Sequence, residues 1–257
     1  MNIMIVTDME GVAGIVDFPN WCTPGGVYYD KGKRLSTEEV NAAIRGFMDA
    51  GAENIYILDG HGPSSLDIEL LDPRAYYIRG SIAASVKFMT DWKIDVFAHV
   101  GQHAKSRTEY SQLTHTQGTS YFDETINGIS IGIPPIFGSG EEAFCKEALE
   151  LAPNMETVSV KKGLTPGTGD ECTASEYAAR NTTAIHVNPI KAREMIYAGA
   201  KKAATRYLDD PSQFTLPFSE LEPPFVKVVK FRKDQQREDW VKTANTIEEI
   251  YSKRLIY

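Results

Sequence analysis

Carboxylate and imidazole side chains recur in this sequence where short apolar runs come to an end. Asp8-Met9-Glu10 follows the run from Asn2 to Thr7, Asp59-Gly60-His61 follows Glu53 to Leu58, and Gly101-Gln102-His103 follows Ile94 to Val100. Carboxylate oxygen with imidazole nitrogen is a ligand set suited to zinc, manganese or iron rather than to calcium, which takes oxygen alone. If the backbone stays extended past Thr7, alternation puts Asp8 and Glu10 on one side, where both can face one cation. Singly, each residue has a plainer use. An Asp after a strand caps a helix or makes a turn, and a His beside Gly sits in a surface turn. Their coincidence carries the metal reading, since His61, His103 and the His115 of Thr114-His115-Thr116 all stand in Gly-flanked or polar loops. His99, inside an apolar run, and His186, in Ala-Ile-His-Val-Asn, read as structural.

The three runs are the elements that must position these residues. Each is short and rich in Ile, Val and Met, the pattern of a parallel strand covered on both faces. Between the first two, Ser36 or Thr37 is placed to cap a helix, with apolar residues recurring at Val40, Ile44, Phe47 and Met48 up to Gly51. Alternation of strand, helix and strand predicts an α/β fold, a mostly parallel sheet flanked by helices, with a ligand site outside the carboxyl ends of the strands. Downstream, Ile129–Ile131, Pro135–Phe137, Glu156–Lys161 and Phe225–Phe231 read as strands. Glu141–Leu151, Pro189–Leu208 and Asn245–Arg254 read as helices. The division expected is a metal-binding α/β domain over 1–161 and a smaller C-terminal α+β region over 162–257.

The composition narrows the function classes. With 27 Lys+Arg against 35 Asp+Glu the net charge is −8, which argues against a broad nucleic-acid surface. No apolar stretch approaches the roughly 20 residues that cross a bilayer, and the opening MNIMIVTDMEGV does not read as a signal peptide. Cys22, Cys145 and Cys172 are an odd number in no CxxC pattern, which fits a cytoplasmic protein whose thiols are packing residues.

Val6-Thr7-Asp8-Met9-Glu10-Gly11-Val12, taken with Asp59-Gly60-His61, Gly101-Gln102-His103-Ala104 and Thr114-His115-Thr116, resembles the D-aminopeptidase family of zinc metallopeptidases. Thr37-Glu38-Glu39 with Asn41, and Asn188-Pro189 with Ala192-Arg193, extend the likeness from Met1 to about Ala204. The resemblance implies that Asp8, Glu10, His61 and His103 bind a pair of zinc ions and that His115 acts in catalysis, by proton transfer on the reading preferred here. It further implies hydrolysis of short peptides with an N-terminal D-amino acid such as D-Ala, and a homo-oligomer in the form of a ring-stacked decamer. One place departs from the family. Its fifth ligand, a Glu, and the helix after it have no counterpart between Ile131 and Gly132, which should weaken the second zinc most. Glu141 and Glu142 match acids that the family has in addition to that ligand, so they are not replacements.

Three other readings compete. Asp8-Met9-Glu10-Gly11-Val12 also resembles the strand-end motif of haloacid-dehalogenase-type, magnesium-dependent phosphohydrolases, but Glu10 stands where that motif has a second Asp, and magnesium prefers oxygen to imidazole. A catalytically impaired homologue lacking the fifth ligand is the second. A dinucleotide site is remote, because Gly11-Val12-Ala13-Gly14 is not GxGxxG. Asp59 is a candidate outer partner for a zinc-binding histidine, by proximity in sequence.

Overall fold

The structure, a computed structural model, describes residues 1–80, 85–115 and 126–251. Seven strands form one sheet: β1 (Asn2–Thr7), β2 (Asn54–Asp59), β3 (Ala75–Ile78), β4 (Val96–Gln102), β5 (Pro135–Glu141), β6 (Glu156–Gly163) and β7 (Ala184–His186). Their order is β3-β2-β1-β4-β5-β6-β7; β1 to β6 are parallel and β7 runs antiparallel to β6. The helices are α1 (Phe18–Trp21), α2 (Tyr29–Asp49), α3 (Val86–Asp91), α4 (Ile126–Ile129), α5 (Glu142–Leu151), α6 (Ala174–Arg180) and α7 (Pro189–Asp209). A smaller C-terminal α+β portion holds the antiparallel pair β8 (Phe225–Val229) and β9 (Trp240–Ala244) and α8 (Ile247–Tyr251). The mostly parallel α/β architecture expected from the sequence is therefore the one observed.

Alternation along β1 explains why both faces are covered. Ile3 and Ile5 join Val40, Ile44 and Phe47 of α2 and Ile196 and Ala200 of α7 in one buried cluster. Met4 and Val6 point the other way and join Phe97 of β4 and Phe144 and Ala148 of α5. A strand buried on both faces has no polar side to show in its sequence. The expected boundary at 161 falls inside β6, and α7, from beyond it, packs on α2. Among the described residues no helix is long and apolar enough to cross a membrane.

Several elements differ from the sequence expectation for identifiable reasons. α2 begins at Tyr29 rather than at Ser36 or Thr37, which lie buried within it. There the Thr37 hydroxyl donates to the Lys33 carbonyl at 2.8 Å and accepts from Asp67 N at 2.9 Å, a back-bonding mode that lets Thr sit inside a helix. The strand expected over Ile129–Ile131 is instead the end of α4 and a turn. Ile131 N and Ile133 N both donate to the Gly128 carbonyl, and Gly132 at φ +96° closes the turn. The final helix begins at Ile247 rather than at Asn245, and residues 252–254 of that expectation lie outside the described residues.

β1 lies between β2 and β4, and the chain moves outward from β1 on one side before returning on the other. The crevice at the carboxyl ends of β1 and β4 is thus a topological switch point, where ligands bind in open α/β sheets. The two strand ends meet closely. Gly101 has φ +77°, and a Cβ there would lie 2.2 Å from the Asp8 carbonyl oxygen. Gly101→Ala is expected to cost at least the ~1–3 kcal/mol of a strained left-handed residue. Thermal unfolding reads this directly, and an unchanged Tm would remove the close-approach argument.

Candidate metal centre

The β1 loop leaves its strand still tied to β4. Asp8 N donates to the Val100 carbonyl at 3.0 Å and Gly11 N to the Gly101 carbonyl at 2.8 Å. Asp8 lies just past the strand and Glu10 is already in a turn, so the backbone tie, and not the extended alternation expected, brings their carboxylates together. On the other side Gly60 N donates to the Thr7 carbonyl at 3.1 Å, which sets His61 beside them. His103 follows β4 immediately after a register shift between Val100 and Gln102.

All five side chains singled out in the sequence meet here. His61 Nδ1 lies 3.2 Å from Asp8 Oδ1 and 3.4 Å from Glu10 Oε2. His103 Nε2 lies 3.4 Å from Asp8 Oδ2, and ligand atoms of Asp8, Glu10 and His103 fall within 4.8 Å of one another. His115 stands at the rim, 51% exposed, with Nε2 3.9 Å from Glu10 Oε1 and its ring 4.7 Å from that of His103. Thr116, the last residue of its sequence motif, lies outside the described residues.

The backbone decides which nitrogen of each imidazole faces inward. His61 Nε2 bonds the Cys22 carbonyl at 2.8 Å, His103 Nδ1 the Ala104 carbonyl at 2.7 Å, and His115 Nδ1 the Leu113 carbonyl at 2.7 Å. A carbonyl only accepts, so each of those nitrogens carries the proton and the other nitrogen of a neutral ring presents a lone pair. Those lone pairs face the Asp8 and Glu10 carboxylates, which are acceptors too. Glu10 is fully buried, and neither of its oxygens has a hydrogen-bond partner. Converging acceptors without a donor, in a buried place, fit a bound cation and little else.

Without a cation the proton is the substitute. Against the burial that would lower it, His61 is pushed up to about 11 by the Asp8 and Glu10 carboxylates. Burial, and then the adjacent Glu10 charge, raise Asp8; against burial, His61 holds Glu10 low. Burial, followed by the nearby His115, pushes His103 down to about 4, so it is neutral at pH 7.

Further residues stand at the site, although the sequence expectation gave them no part in it. Lys161 of β6, almost fully buried, donates through Nζ to the carbonyls of Glu10 and Ile15. Glu39 of α2 accepts from Ala13 N at 2.9 Å. Glu141 accepts from Ala104 N at 2.8 Å and from Gln112 N at 2.5 Å. Both Glu141 oxygens are thereby taken, and Glu142 pairs with Lys146 and Lys162, in keeping with neither acid being a spare ligand. Burial raises Glu39 to about 8 and Glu141 to about 7. Phe18 stands edge-on to His115 with ring centroids 5.2 Å apart, an apolar flank to the rim.

Asp59 does not serve His61 as an outer partner. It accepts from Ser64 Oγ at 2.7 Å, Ser65 N at 2.9 Å and Tyr77 OH at 2.9 Å, and pairs with Arg79 at 3.1 Å. It organises the loop that carries His61, while backbone carbonyls orient the rings. His99 is fully buried in β4, and His186 Nδ1 accepts from Gly14 N at 3.1 Å. Cys22, Cys145 and Cys172 are free thiols.

A doubly wound α/β sheet with a carboxylate–imidazole cluster at its switch point defines an open-sheet α/β protein with a candidate metal centre. Within that class the chain belongs to the D-aminopeptidase family, whose family model matches residues 1–257. A D-aminopeptidase of Bacillus subtilis (strain 168) is 27% identical over 179 residues, covering 63% of this chain and 64% of the relative, just short of two thirds of its length. The solved structure of the Zn-dependent D-aminopeptidase DppA from Bacillus subtilis, described as a self-compartmentalizing protease, shares the fold at a TM-score of 0.75. It is 19% identical, with 98% of this chain and 94% of that one covered. Family membership and the imidazole-rich cluster both weigh against the phosphohydrolase reading.

Proposed function

We propose that this protein is a zinc-dependent aminopeptidase that hydrolyses short peptides bearing an N-terminal D-amino acid such as D-Ala. In this reading Asp8, Glu10, His61 and His103 hold zinc and His115 moves protons. The observation that carries it is the convergence of imidazole lone pairs on two carboxylates, with both oxygens of the buried Glu10 left without a donor. Asp8 turns one oxygen to His61 and the other to His103, so it would hold zinc together with both rings. Zinc in such a set supplies Lewis acidity toward a peptide carbonyl and toward water.

The remaining work falls to the chain. His115 is anchored by its Nδ1 proton on Leu113, which leaves Nε2 to accept a proton and return it to the leaving nitrogen. Its exposure gives a substrate access, whereas His61 and His103 are buried. Phe18 offers an apolar surface beside it. Short peptides are the partners proposed, with no nucleic acid or membrane, and the protein is proposed to be cytoplasmic. A homo-oligomer, a decamer in the family's manner, is also part of this reading; the structural neighbour's description as self-compartmentalizing supports it.

The test is release of D-Ala from D-Ala-D-Ala at neutral pH beside L-Ala-L-Ala, with a chelator and with zinc restored. Turnover of the D-peptide alone, lost to chelator and recovered with zinc, is expected. No turnover in a folded, zinc-loaded sample would overturn the activity and favour an impaired homologue.

A further inference from the structure

Around the candidate metal centre lie buried ionisable groups that the proposed chemistry does not use. Lys161 is the only buried lysine among the described residues. It belongs to β6, separated from β1 in the sheet by β4 and β5, yet its Nζ reaches the carbonyls of Glu10 and Ile15. Those two carbonyls bracket the turn that follows β1. Glu39 holds the same turn from the helix side through Ala13 N, and Glu141 holds the loop after β4 through Ala104 N and Gln112 N. Three buried ionisable side chains thus fix, through backbone groups, the loops that carry Asp8, Glu10 and His103.

The chemistry of the slot requires an ammonium. Its contacts are carbonyl oxygens and its charged neighbours are carboxylates, so the occupant must be all donor, and a lysine head has three donors and no acceptor. Its Nζ is bonded to the Glu10 backbone carbonyl, while the Glu10 carboxylate lies 3.4 Å from His61 Nδ1. A residue whose backbone is held in place presents its carboxylate from a fixed position, and outer partners that orient ligands typically govern metal affinity by about 10–100-fold.

We propose that Lys161 is a positioning residue for the metal centre: by holding the Glu10 and Ile15 carbonyls it keeps the Asp8–Glu10 turn in the shape that receives the cation. This rests on the metal reading of the preceding section. Lys161 touches neither substrate nor the reacting atoms and acts through Glu10.

The experiment compares zinc affinity by competition with a chromogenic chelator, and the visible spectrum of the cobalt-substituted protein, across four proteins: wild type, Lys161→Met, Lys161→Arg and Phe47→Leu. Met fills the volume without a donor, and Arg keeps a cationic donor. Phe47 lies in the core between α2 and β5, so its variant controls for lost stability. Lys161→Met is expected to bind zinc about 10–100-fold more weakly and to shift the cobalt bands. Phe47→Leu at a comparable fall in Tm should do neither, and Lys161→Arg should recover most of the affinity, which also serves if Lys161→Met does not fold. Wild-type affinity in Lys161→Met, equal loss in Phe47→Leu, or no recovery in Lys161→Arg would each overturn the role of Lys161. Failure of the wild type to bind zinc would overturn the metal reading itself.

Discussion

Alanine at His61 or at His103 is expected to empty the metal centre and abolish peptide hydrolysis, with the two variants differing in what they do to the metal-free protein. Each imidazole contributes one lone pair to the cluster, and its other nitrogen is spent on a backbone carbonyl, so no neighbour can rotate in to replace it. The loss of zinc affinity should exceed the roughly 10–100-fold that removal of an outer partner costs. In the metal-free protein the residues part company. His61, pushed up to about 11, is a cation between the buried Glu10 and the partly buried Asp8, and removing it strands the Glu10 charge, a change that costs about 3–5 kcal/mol for a broken buried pair. His103, pushed down to about 4, is neutral, so its removal leaves a cavity but no stranded charge. Metal content by elemental analysis and Tm in chelator read the two effects separately.

The same proton gives the pH dependence a sign. Below about 11 the metal-free His61 is protonated, and zinc must displace that proton, so zinc affinity should fall as pH falls. Calorimetry in buffers of different ionisation enthalpy counts the proton released. Full zinc occupancy in His61→Ala would remove that residue from the ligand set.

How much of this was legible in the sequence follows from what each residue had to do. Asp8, Glu10, His61 and His103 stand just beyond strands, and a parallel sheet delivers strand ends to one edge, so their meeting followed from the alternation of elements. The detailed means did not. The turn after Thr7 is held by hydrogen bonds to Val100 and Gly101, residues far away in the chain, and no local pattern encodes them. Lys161 was hidden for the same reason. Next to Lys162 at a strand end it reads as a solvated pair, and only the path from β6 beneath β1 shows that Lys161 is buried while Lys162 is exposed. Asp59 misled because adjacency in sequence to His61 is not adjacency of function; its oxygens are drawn to Ser64, Ser65, Tyr77 and Arg79 instead. Ser36 and Thr37 look like caps, but the Thr37 hydroxyl bonds the carbonyl four residues back and sits mid-helix, and the true start at Tyr29 has no capping side chain to advertise it.

His115→Ala is the substitution that separates chemistry from metal binding. It is expected to lower kcat by about 10²–10⁴-fold, equivalent to about 3–5 kcal/mol of lost transition-state stabilisation, while zinc content stays at the wild-type level. The geometry sets both halves of this expectation. At 3.9 Å from Glu10 Oε1 and half exposed, the ring reaches the edge of the cluster without sitting in it, whereas His61 and His103 lie within 3.4 Å of Asp8 and are buried. The Leu113 carbonyl anchors Nδ1, which fixes the tautomer and leaves Nε2 as the acceptor. Because so much of the ring is exposed, its loss should change stability by no more than about 0.5 kcal/mol, so reduced activity cannot be blamed on unfolding. KM should change little if the ring acts in the transition state, and the fall should appear in kcat and kcat/KM alike. Retained activity would remove the proton-transfer role. Activity lost together with zinc would instead make His115 a ligand and leave the proton carrier to be found elsewhere at the rim.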